Sequence, residues 1–209
     1  MSKNILLFPG GFKPFHDGHL SILKSHIFNI DNVHIDEVRI YISSKNRDNI
    51  TANSSLWFLN NIKDKLSEVY NVNINVCISE YPAPIRKCYN DVGSSINDEK
   101  FCLVTSNKGN DIKRKDEFVQ LYSENGKYYD SIKGVKTIYI NANIEPVHYI
   151  NRNDEYNNEC VSSTIIRNDI YNHNYDMFKT AYINMLSNNI LNEKILKKYY
   201  QRIFLHMVG

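Results

Sequence analysis

Two histidines three positions apart, His16 and His19, are the residues of this sequence best suited to chemistry on a phosphate. They follow a short apolar run at residues 5–8 and a glycine pair, Gly10 and Gly11, a pattern that predicts a strand ending in a tight turn. Glycines at this point let the backbone approach a phosphate closely. A helix that begins here presents an N-terminus that favours anions. Two imidazoles beside it could hold nucleotide phosphates and stabilise the charge that grows on phosphorus in a transition state.

The rest of this segment adds candidates for the same role. Gly18 allows close contact where the helix begins, and Lys13 could either add charge beside a triphosphate or face water. Zinc binding by the histidine pair is disfavoured, since no third and fourth ligands are spaced to join it and the four cysteines form no CxxC pair. We therefore predict no metal ligands, and a nucleotide-binding set that contains Gly10, Gly11, Phe12, Lys13 and Gly18.

A second polar segment, Ser162-Ser163-Thr164 with Arg167 three positions later, opens a helical stretch near the C-terminus. Hydroxyl groups at a helix start either cap free amides or bind an anion there. Arg167 lies one turn into the helix, from which a guanidinium can form two hydrogen bonds with phosphate oxygens. Taken alone, the segment is typical of an ordinary N-cap.

Together the two segments resemble the (H/T)xGH and ISSTxxR motifs of the cytidylyltransferase-like nucleotidyltransferase superfamily, and they occur in the order expected there. The run from Gly11 to His19 is similar above all to archaeal-type nicotinamide-nucleotide adenylyltransferases, and also to nucleotidyltransferase-like proteins of large phages. Two departures stand out. Lys13 replaces the Gln or Asp usual in relatives, and residues 53–55 read Asn-Ser-Ser where Gly-Glu-Arg is usual.

The resemblance implies a nucleotidyltransferase that moves a nucleoside monophosphate from an NTP to a small phosphorylated acceptor and releases pyrophosphate. His16, His19 and Arg167 would be catalytic, while Ser162, Ser163 and Thr164 would bind the nucleotide phosphates. It also implies Mg²⁺ bridging the triphosphate, held mostly by substrate and water.

Other positions carry weaker signals. The loop after the fourth predicted strand contacts ribose and base in relatives, which makes Asn107, Gly109 and Asp111 candidates, although a plain turn explains the composition equally well. For the acceptor we predict five contacts, each with a structural alternative as surface charge, turn or core: Ser43, Lys45, Arg47, Trp57 and Arg86.

The form Ser-Ser-Thr-Ile-Ile-Arg favours ATP over CTP, again by resemblance. NMN is the leading acceptor, which would place the chain in NAD biosynthesis. A cytidylyltransferase and a phosphopantetheine adenylyltransferase stay open as alternatives, as does a non-catalytic nucleotide-binding module of a larger assembly. A kinase of the P-loop type is disfavoured because GxxxxGK[ST] is absent.

Hydrophobic periodicity predicts the elements that position these residues. Strands are predicted at residues 5–8, 37–43, 73–79, 101–105 and 136–141, and helices at 17–30, 51–70 (with Thr51 as N-cap), 164–171, 175–186 and 191–204. The alternation predicts an α/β fold: a Rossmann-like, parallel five-stranded sheet with helices on both faces and a C-terminal helical extension. We place the nucleotidyltransferase domain at residues 1–174 and the extension, packed on it, at 175–209.

Composition agrees with one globular domain. Of 209 residues 42% are hydrophobic, enough for a core, and the net charge of +2 from 25 basic and 23 acidic residues gives no support for nucleic-acid binding. Neither a signal peptide nor a stretch of the roughly 20 apolar residues that cross a bilayer is found, so we expect a cytoplasmic protein without membrane contact. The apolar C-terminal helices could also pack on a second copy, which leaves a homo-oligomer open.

Overall fold

The computed structural model describes residues 3–28, 33–95, 99–106, 110–129, 136–137, 149–150 and 159–208. Four parallel strands form the body of one sheet: β1 (Lys3–Gly10), β2 (Glu37–Ile42), β3 (Asn73–Ile78) and β4 (Glu99–Leu103). A two-residue strand, β5 (Lys136–Thr137), pairs with β4, so that the order across the sheet is β3-β2-β1-β4-β5. The chain therefore starts in the middle of the sheet, and the strand order reverses beside β1. Open α/β sheets bind ligands at the carboxyl ends of the strands next to such a reversal.

Eight helices and a small hairpin complete the described part of the chain. The helices are α1 (Asp17–Phe28), α2 (Ala52–Tyr70), α3 (Ile85–Gly93), α4 (Asn110–Tyr122), α5 (Ser163–Tyr171), α6 (Tyr175–Thr180), α7 (Ile183–Ser187) and α8 (Glu193–Val208). Two short antiparallel strands, β6 (Tyr149–Ile150) and β7 (Glu159–Cys160), pair with each other.

Side chains of β1 alternate between two hydrophobic clusters, one on each face of the sheet. Leu6 and Phe8 belong to the cluster formed with α1, α2 and α5 to α8. Ile5 and Leu7 belong to the other, which includes Cys88 of α3 and residues of α4. This confirms the predicted α/β parallel sheet with helices on both faces. The sheet reaches its fifth strand only through the two residues of β5, and the rest of the predicted strand, 138–141, lies outside the described residues.

Hydrogen bonds between residues close in sequence determine where helix α2 begins and ends. The Thr51 hydroxyl accepts a hydrogen bond from Ser54 N–H at 3.1 Å, which satisfies one of the free amides of the first turn. Asn71 ends the helix in the left-handed conformation, and its N–H donates to the Ser67 carbonyl. The predicted N-cap and the predicted last residue, Tyr70, are both confirmed.

The C-terminal helices share the core of the sheet. The ring of Tyr199 in α8 stacks on Phe58 of α2 with centroids 4.1 Å apart, and Phe58 also meets Tyr182 edge-on at 5.7 Å. The single helix predicted at 175–186 is wrong, because α6 ends at Thr180 and a new helix, α7, begins at Ile183. The helices pack on the domain as expected, while the boundary at residue 174 stays a prediction.

Among the described cysteines, Cys77, Cys88 and Cys102 are free thiols, and Cys77 is exposed on the edge strand β3. Within the described ranges no helix has the length and apolar character that a bilayer span requires.

We predict that Phe58→Ala lowers the free energy of unfolding by about 3–5 kcal/mol, since it removes a fully buried ring between two helices and leaves a cavity. Denaturant unfolding followed by circular dichroism measures the change. Asn60→Ala, on the exposed side of the same helix, is the control and should change stability by about 0.5 kcal/mol or less. A loss below about 1 kcal/mol for Phe58→Ala would show that α8 does not pack on α2 in this way.

Candidate active site

The loop between β1 and α1 is shaped by aromatic packing over a glycine. A Cβ added at Gly10 would lie 2.4 Å from Phe12 Cζ, so a larger residue there would displace the ring. Phe12 is buried with a positive φ of 49°, and its ring centroid lies 5.0 Å from that of Phe8 and 5.5 Å from that of Phe15. These rings set the course of the chain from the strand to the histidines.

Backbone amides bind both histidine rings through Nδ1. The Gly18 N–H donates to His16 Nδ1 at 3.0 Å, and the His16 N–H donates to His19 Nδ1 at 3.3 Å. A ring nitrogen that accepts a hydrogen bond carries no proton, so in each neutral imidazole the proton is on Nε2. The two ring centroids are 4.0 Å apart, which confirms that the rings converge.

His19 is uncharged at neutral pH. Its ring stacks on Phe15 at 5.4 Å and meets Phe12 edge-on at 5.1 Å. Burial among these rings lowers the pKa of His19 to about 3. A substrate phosphate would therefore meet a neutral hydrogen-bond donor at this position and not an imidazolium ion.

The second segment meets the first through Arg167, which is buried at the start of α5. One guanidinium nitrogen donates to the Lys13 carbonyl at 2.9 Å, and the other donates to Thr164 Oγ1 at 3.1 Å. Its Nε pairs with the exposed carboxylate of Asp48, in the β2–α2 loop. The Ser163 hydroxyl donates to the Pro14 carbonyl at 3.1 Å. Both predicted phosphate-binding segments thus lie side by side, although 154 positions separate Lys13 from Arg167.

Ser162 has the ordinary structural role. Its hydroxyl accepts from Ile165 N–H at 3.3 Å and so caps α5. Phosphate binding by Ser162 stays a prediction, as it does for Ser163 and Thr164, whose hydroxyls already have partners within the protein.

A cavity of about 440 Å³ opens at the carboxyl ends of β1 and β2. Segment 82–85, which follows β3, forms another wall, and four cations line the cavity: Lys13, Lys45, Arg47 and Arg114. No carboxylate is among the described wall residues, although Asp111 pairs with Arg114 at 2.8 Å. The concentration of positive charge makes the cavity suited to a phosphorylated ligand. Gly10 and Gly11 also line it, whereas His16 and His19 are not among its described wall residues.

Lys13 links this cavity to the motif loop. Its ammonium donates to the Ser43 carbonyl at 2.7 Å and to the Gly11 carbonyl at 3.2 Å, while its own carbonyl binds Arg167. Burial and the nearby charge of Arg47 lower the pKa of Lys13 to about 8. Lys13 therefore does not face water, and its charge titrates close to neutral pH.

The predicted acceptor residues fall into two groups. Ser43, Lys45 and Arg47 line the cavity. Trp57 and Arg86 do not: Trp57 packs against α8, beside Tyr199 and the guanidinium of Arg202, and Arg86 is exposed on α3. The structural alternative for Trp57, helix packing, is what the fold shows.

Sequence reasoning missed Arg114 and the Pro82–Pro84 wall, because an isolated arginine on a polar helix carries no local signal. Of the predicted base and ribose contacts, Asn107 and Gly109 lie outside the described residues. Asp111 accepts hydrogen bonds from the Ser106 hydroxyl at 2.6 Å and from Arg114 at 2.8 Å, so it is held at the start of α4.

Asp17, between the two histidines, is also a residue that the motif did not single out. Its carboxylate is buried and accepts from Asn184 N–H at 2.7 Å and Met185 N–H at 3.2 Å, in the first turn of α7. Burial raises the pKa of Asp17 to about 6, although these amide hydrogen bonds oppose the shift. The Asp17 carboxylate thus caps α7 just after the break that separates it from α6.

No group of three or more His, Cys, Asp or Glu side chains that could hold a metal ion occurs within the described ranges. Binding of Mg²⁺ stays a prediction.

The strand order reverses beside β1, and the two predicted phosphate-binding segments meet at the carboxyl ends of the strands there. This arrangement is that of a nucleotide-binding protein of Rossmann-like fold. No protein-family model matches the chain. Two curated relatives are phosphopantetheine adenylyltransferases. One, from Mycoplasma capricolum subsp. capricolum, is 28% identical over 163 residues, which cover 78% of this chain and 94% of the relative. The other, from Mycoplasma mycoides subsp. mycoides, is 29% identical over 161 residues, 77% of this chain and 92% of the relative.

A similar solved structure is the bifunctional NMN adenylyltransferase/ADP ribose pyrophosphatase of Francisella tularensis, in complex with AMP and a manganese ion. The match has a TM-score of 0.50 and 16% identity, and it covers all of this chain but only 52% of that one. This likeness supports the fold. Together the comparisons agree with the cytidylyltransferase-like superfamily that the motifs indicate, and the chain is a nucleotidyltransferase enzyme.

Gly18→Ala should lower kcat by roughly tenfold to a hundredfold, because displacing a positioned group by about 1 Å has effects of this size. The added Cβ would lie 2.7 Å from His16 Cε1 and push the ring aside. Gly93→Ala is the matched control, since a Cβ there meets nothing within 4 Å, and it should keep wild-type turnover. Pyrophosphate release measures both variants. Equal rates for the two would mean that the position of His16 does not matter.

The activity should also depend on the protonation of Lys13. Its ammonium form prevails below pH 8 and is lost above it, so kcat/KM for the nucleotide should fall as the pH rises through about 8. In Lys13→Met, kcat/KM should be low at pH 7 and the inflection near pH 8 should be gone. Because the pKa of His19 is about 3, this ring should add no inflection of its own near neutral pH. An inflection that persists in Lys13→Met would assign the titration to another group.

Proposed function

We propose that this enzyme is an adenylyltransferase, which transfers AMP from ATP to a phosphate-bearing acceptor and releases pyrophosphate. One observation supports the proposal above all others: the two predicted phosphate-binding segments meet at Lys13, which also lines the cavity that contains the cations. One side of Lys13 faces this cavity, and the other binds the arginine of the second segment. A triphosphate and an acceptor phosphate could therefore be brought together at one residue.

Phosphopantetheine is the acceptor that the cavity favours. The walls that the structure describes contain no aromatic side chain on which a nicotinamide ring could stack, since Trp57 packs on α8 instead. Pro82, Ala83 and Ile85 supply an apolar part of the same wall, which suits an extended aliphatic chain ending in a phosphate. Both curated relatives carry that acceptor in their names, and they are matched over more than nine-tenths of their length.

NMN stays the second candidate. The run from Gly11 to His19 resembles the archaeal-type nicotinamide-nucleotide enzymes, and the structural neighbour is an NMN adenylyltransferase. From that run only Gly11 and Lys13 line the cavity where the acceptor would lie. Neither offers a surface on which a nicotinamide ring could stack, so we place NMN second.

In the proposed reaction an oxygen of the acceptor phosphate attacks the α-phosphorus of ATP in line with the leaving group. A new bond forms between that oxygen and the α-phosphorus, the bond from the α-phosphorus to the bridging oxygen breaks, and pyrophosphate leaves with the electron pair. The acceptor phosphate is already ionised at neutral pH, so no general base is required. Catalysis would consist of positioning and charge stabilisation.

The residues of the loop divide this work. His16 and His19, as neutral imidazoles, would donate hydrogen bonds to oxygens of the α-phosphate as negative charge grows there. Arg167 and Lys13 would bind the departing pyrophosphate. Mg²⁺, which would enter as the MgATP complex, neutralises triphosphate charge; the described residues offer no carboxylate cage for it.

The acceptor is tested by pyrophosphate release with MgATP or MgCTP and a panel of phosphopantetheine, NMN, glycerol phosphate and choline phosphate. We expect release that requires ATP and phosphopantetheine together. Release with NMN instead would move the assignment to the second candidate, and release with CTP would contradict an adenylyltransferase. ATP binding by calorimetry without release from any acceptor would favour a non-catalytic nucleotide-binding module.

His19→Ala should lower kcat by about two to three orders of magnitude, the effect of losing one preorganised donor to a transition state. The control is His34→Ala, the same substitution at an exposed position just before the amino end of β2. It should keep full activity. Single-turnover AMP transfer gives the rate of the chemical step, and a His19→Ala rate within threefold of wild type would rule out the proposed role of this ring.

A further inference from the structure

The C-terminal helices contact the histidine loop at Asp17. Three hydrogen bonds join this residue to segment 181–185. Asp17 N–H donates to the Ala181 carbonyl at 3.0 Å, and the carboxylate accepts from Asn184 N–H and Met185 N–H. Both the backbone and the side chain of Asp17 are therefore held by a segment more than 160 positions away.

The histidines depend on the backbone at this residue. His16 Nδ1 accepts from the N–H of Gly18, so the hydrogen bond spans Asp17. His19 Nδ1 accepts from the N–H of His16, which spans it again. A rotation of the chain at Asp17 would change both distances, and with them the tautomer and the direction of each ring.

The surroundings of Asp17 make the connection stiff. Ala181, Tyr182 and Met185 are completely buried, and they belong to the same hydrophobic cluster as Leu20 and Leu23 of α1. Charge-assisted hydrogen bonds are shorter and stronger than neutral ones. A serine or asparagine could cap α7 with a smaller desolvation cost, so capping alone gives no reason for a buried carboxylate here.

We propose that Asp17 is a positioning residue, through which α7 of the C-terminal extension holds His16 and His19 in the geometry required for transfer. Its carboxylate is enclosed and engaged with two amides, so it does not touch substrate or metal. The inference rests on the proposed function only for its kinetic readout. The extension would then be part of the catalytic apparatus and not merely packing on the domain.

The test compares Asp17→Ala and Asp17→Asn with Asn174→Ala. Asn174 caps the neighbouring helix α6, accepting from Met177 N–H at 3.1 Å, but it does not contact the histidine loop. Both alanine variants thus remove a side-chain cap from the same extension.

We expect kcat to fall about a hundredfold in Asp17→Ala, the scale for a small misplacement of catalytic groups. The KM for MgATP should change by about threefold or less, because uniform binding is retained. The kcat of Asp17→Asn should lie between those of Asp17→Ala and the wild type, and Asn174→Ala should keep the wild-type kcat.

Nitrogen-15 NMR of the imidazole rings gives a second readout that needs no turnover. In the wild type, Nδ1 of each ring should appear as the unprotonated nitrogen that accepts a hydrogen bond. Asp17→Asn should shift these signals, while Asn174→Ala should leave them in place. A wild-type kcat in Asp17→Ala, unchanged ring signals in Asp17→Asn, or equal loss of kcat in both alanine variants would overturn the proposal. If wild type transfers AMP to no acceptor, the proposed function fails, and the ring signals still decide whether Asp17 positions the histidines.

Discussion

The hydrogen bond from Arg167 to the Lys13 carbonyl is the contact on which the site depends, because it joins two segments that are otherwise held by different helices. Lys13 belongs to the loop after β1, and Arg167 to the first turn of α5. The guanidinium is buried, so its hydrogen bonds compete with little water and gain strength from the low local dielectric. Ser163, donating to Pro14, repeats the connection one residue along the loop. Without these two contacts the sheet would still form, but the two predicted phosphate-binding segments would lose the hydrogen bonds that fix their separation.

In the proposed mechanism the histidine loop would act through prearranged neutral donors. The rings of Phe12 and Phe15 pack on His19, and burial lowers the pKa of its imidazole far below neutrality. A charged imidazole would attract phosphate more strongly in the ground state as well as in the transition state, whereas a fixed neutral donor acts where new charge appears. Positive charge is instead placed on Lys13, Arg167 and the cavity wall. The loop therefore separates the attraction of substrates from the stabilisation of the reacting centre.

The C-terminal helices extend this arrangement. They complete one side of the core, where Tyr199 stacks on Phe58, and they also reach the loop between the histidines at Asp17. One set of helices thus contributes both to the stability of the sheet and to the position of the loop. We expect changes in the extension to affect the site for this reason, even though no residue of α8 is among the described walls of the cavity.

The sequence by itself determined the elements whose signals are local. Thr51 and Asn71 mark the ends of α2, and the strand, glycine turn and helix around His16 and His19 are readable because each step is specified within a few residues. The tertiary structure alone decided which distant residues meet. Trp57 packs on α8, Arg114 of α4 lines the cavity, and the Asp17 carboxylate caps α7. The physical reason is that such contacts arise from the packing of elements a hundred or more residues apart, and hydrophobic periodicity records only that a face is buried, not what buries it.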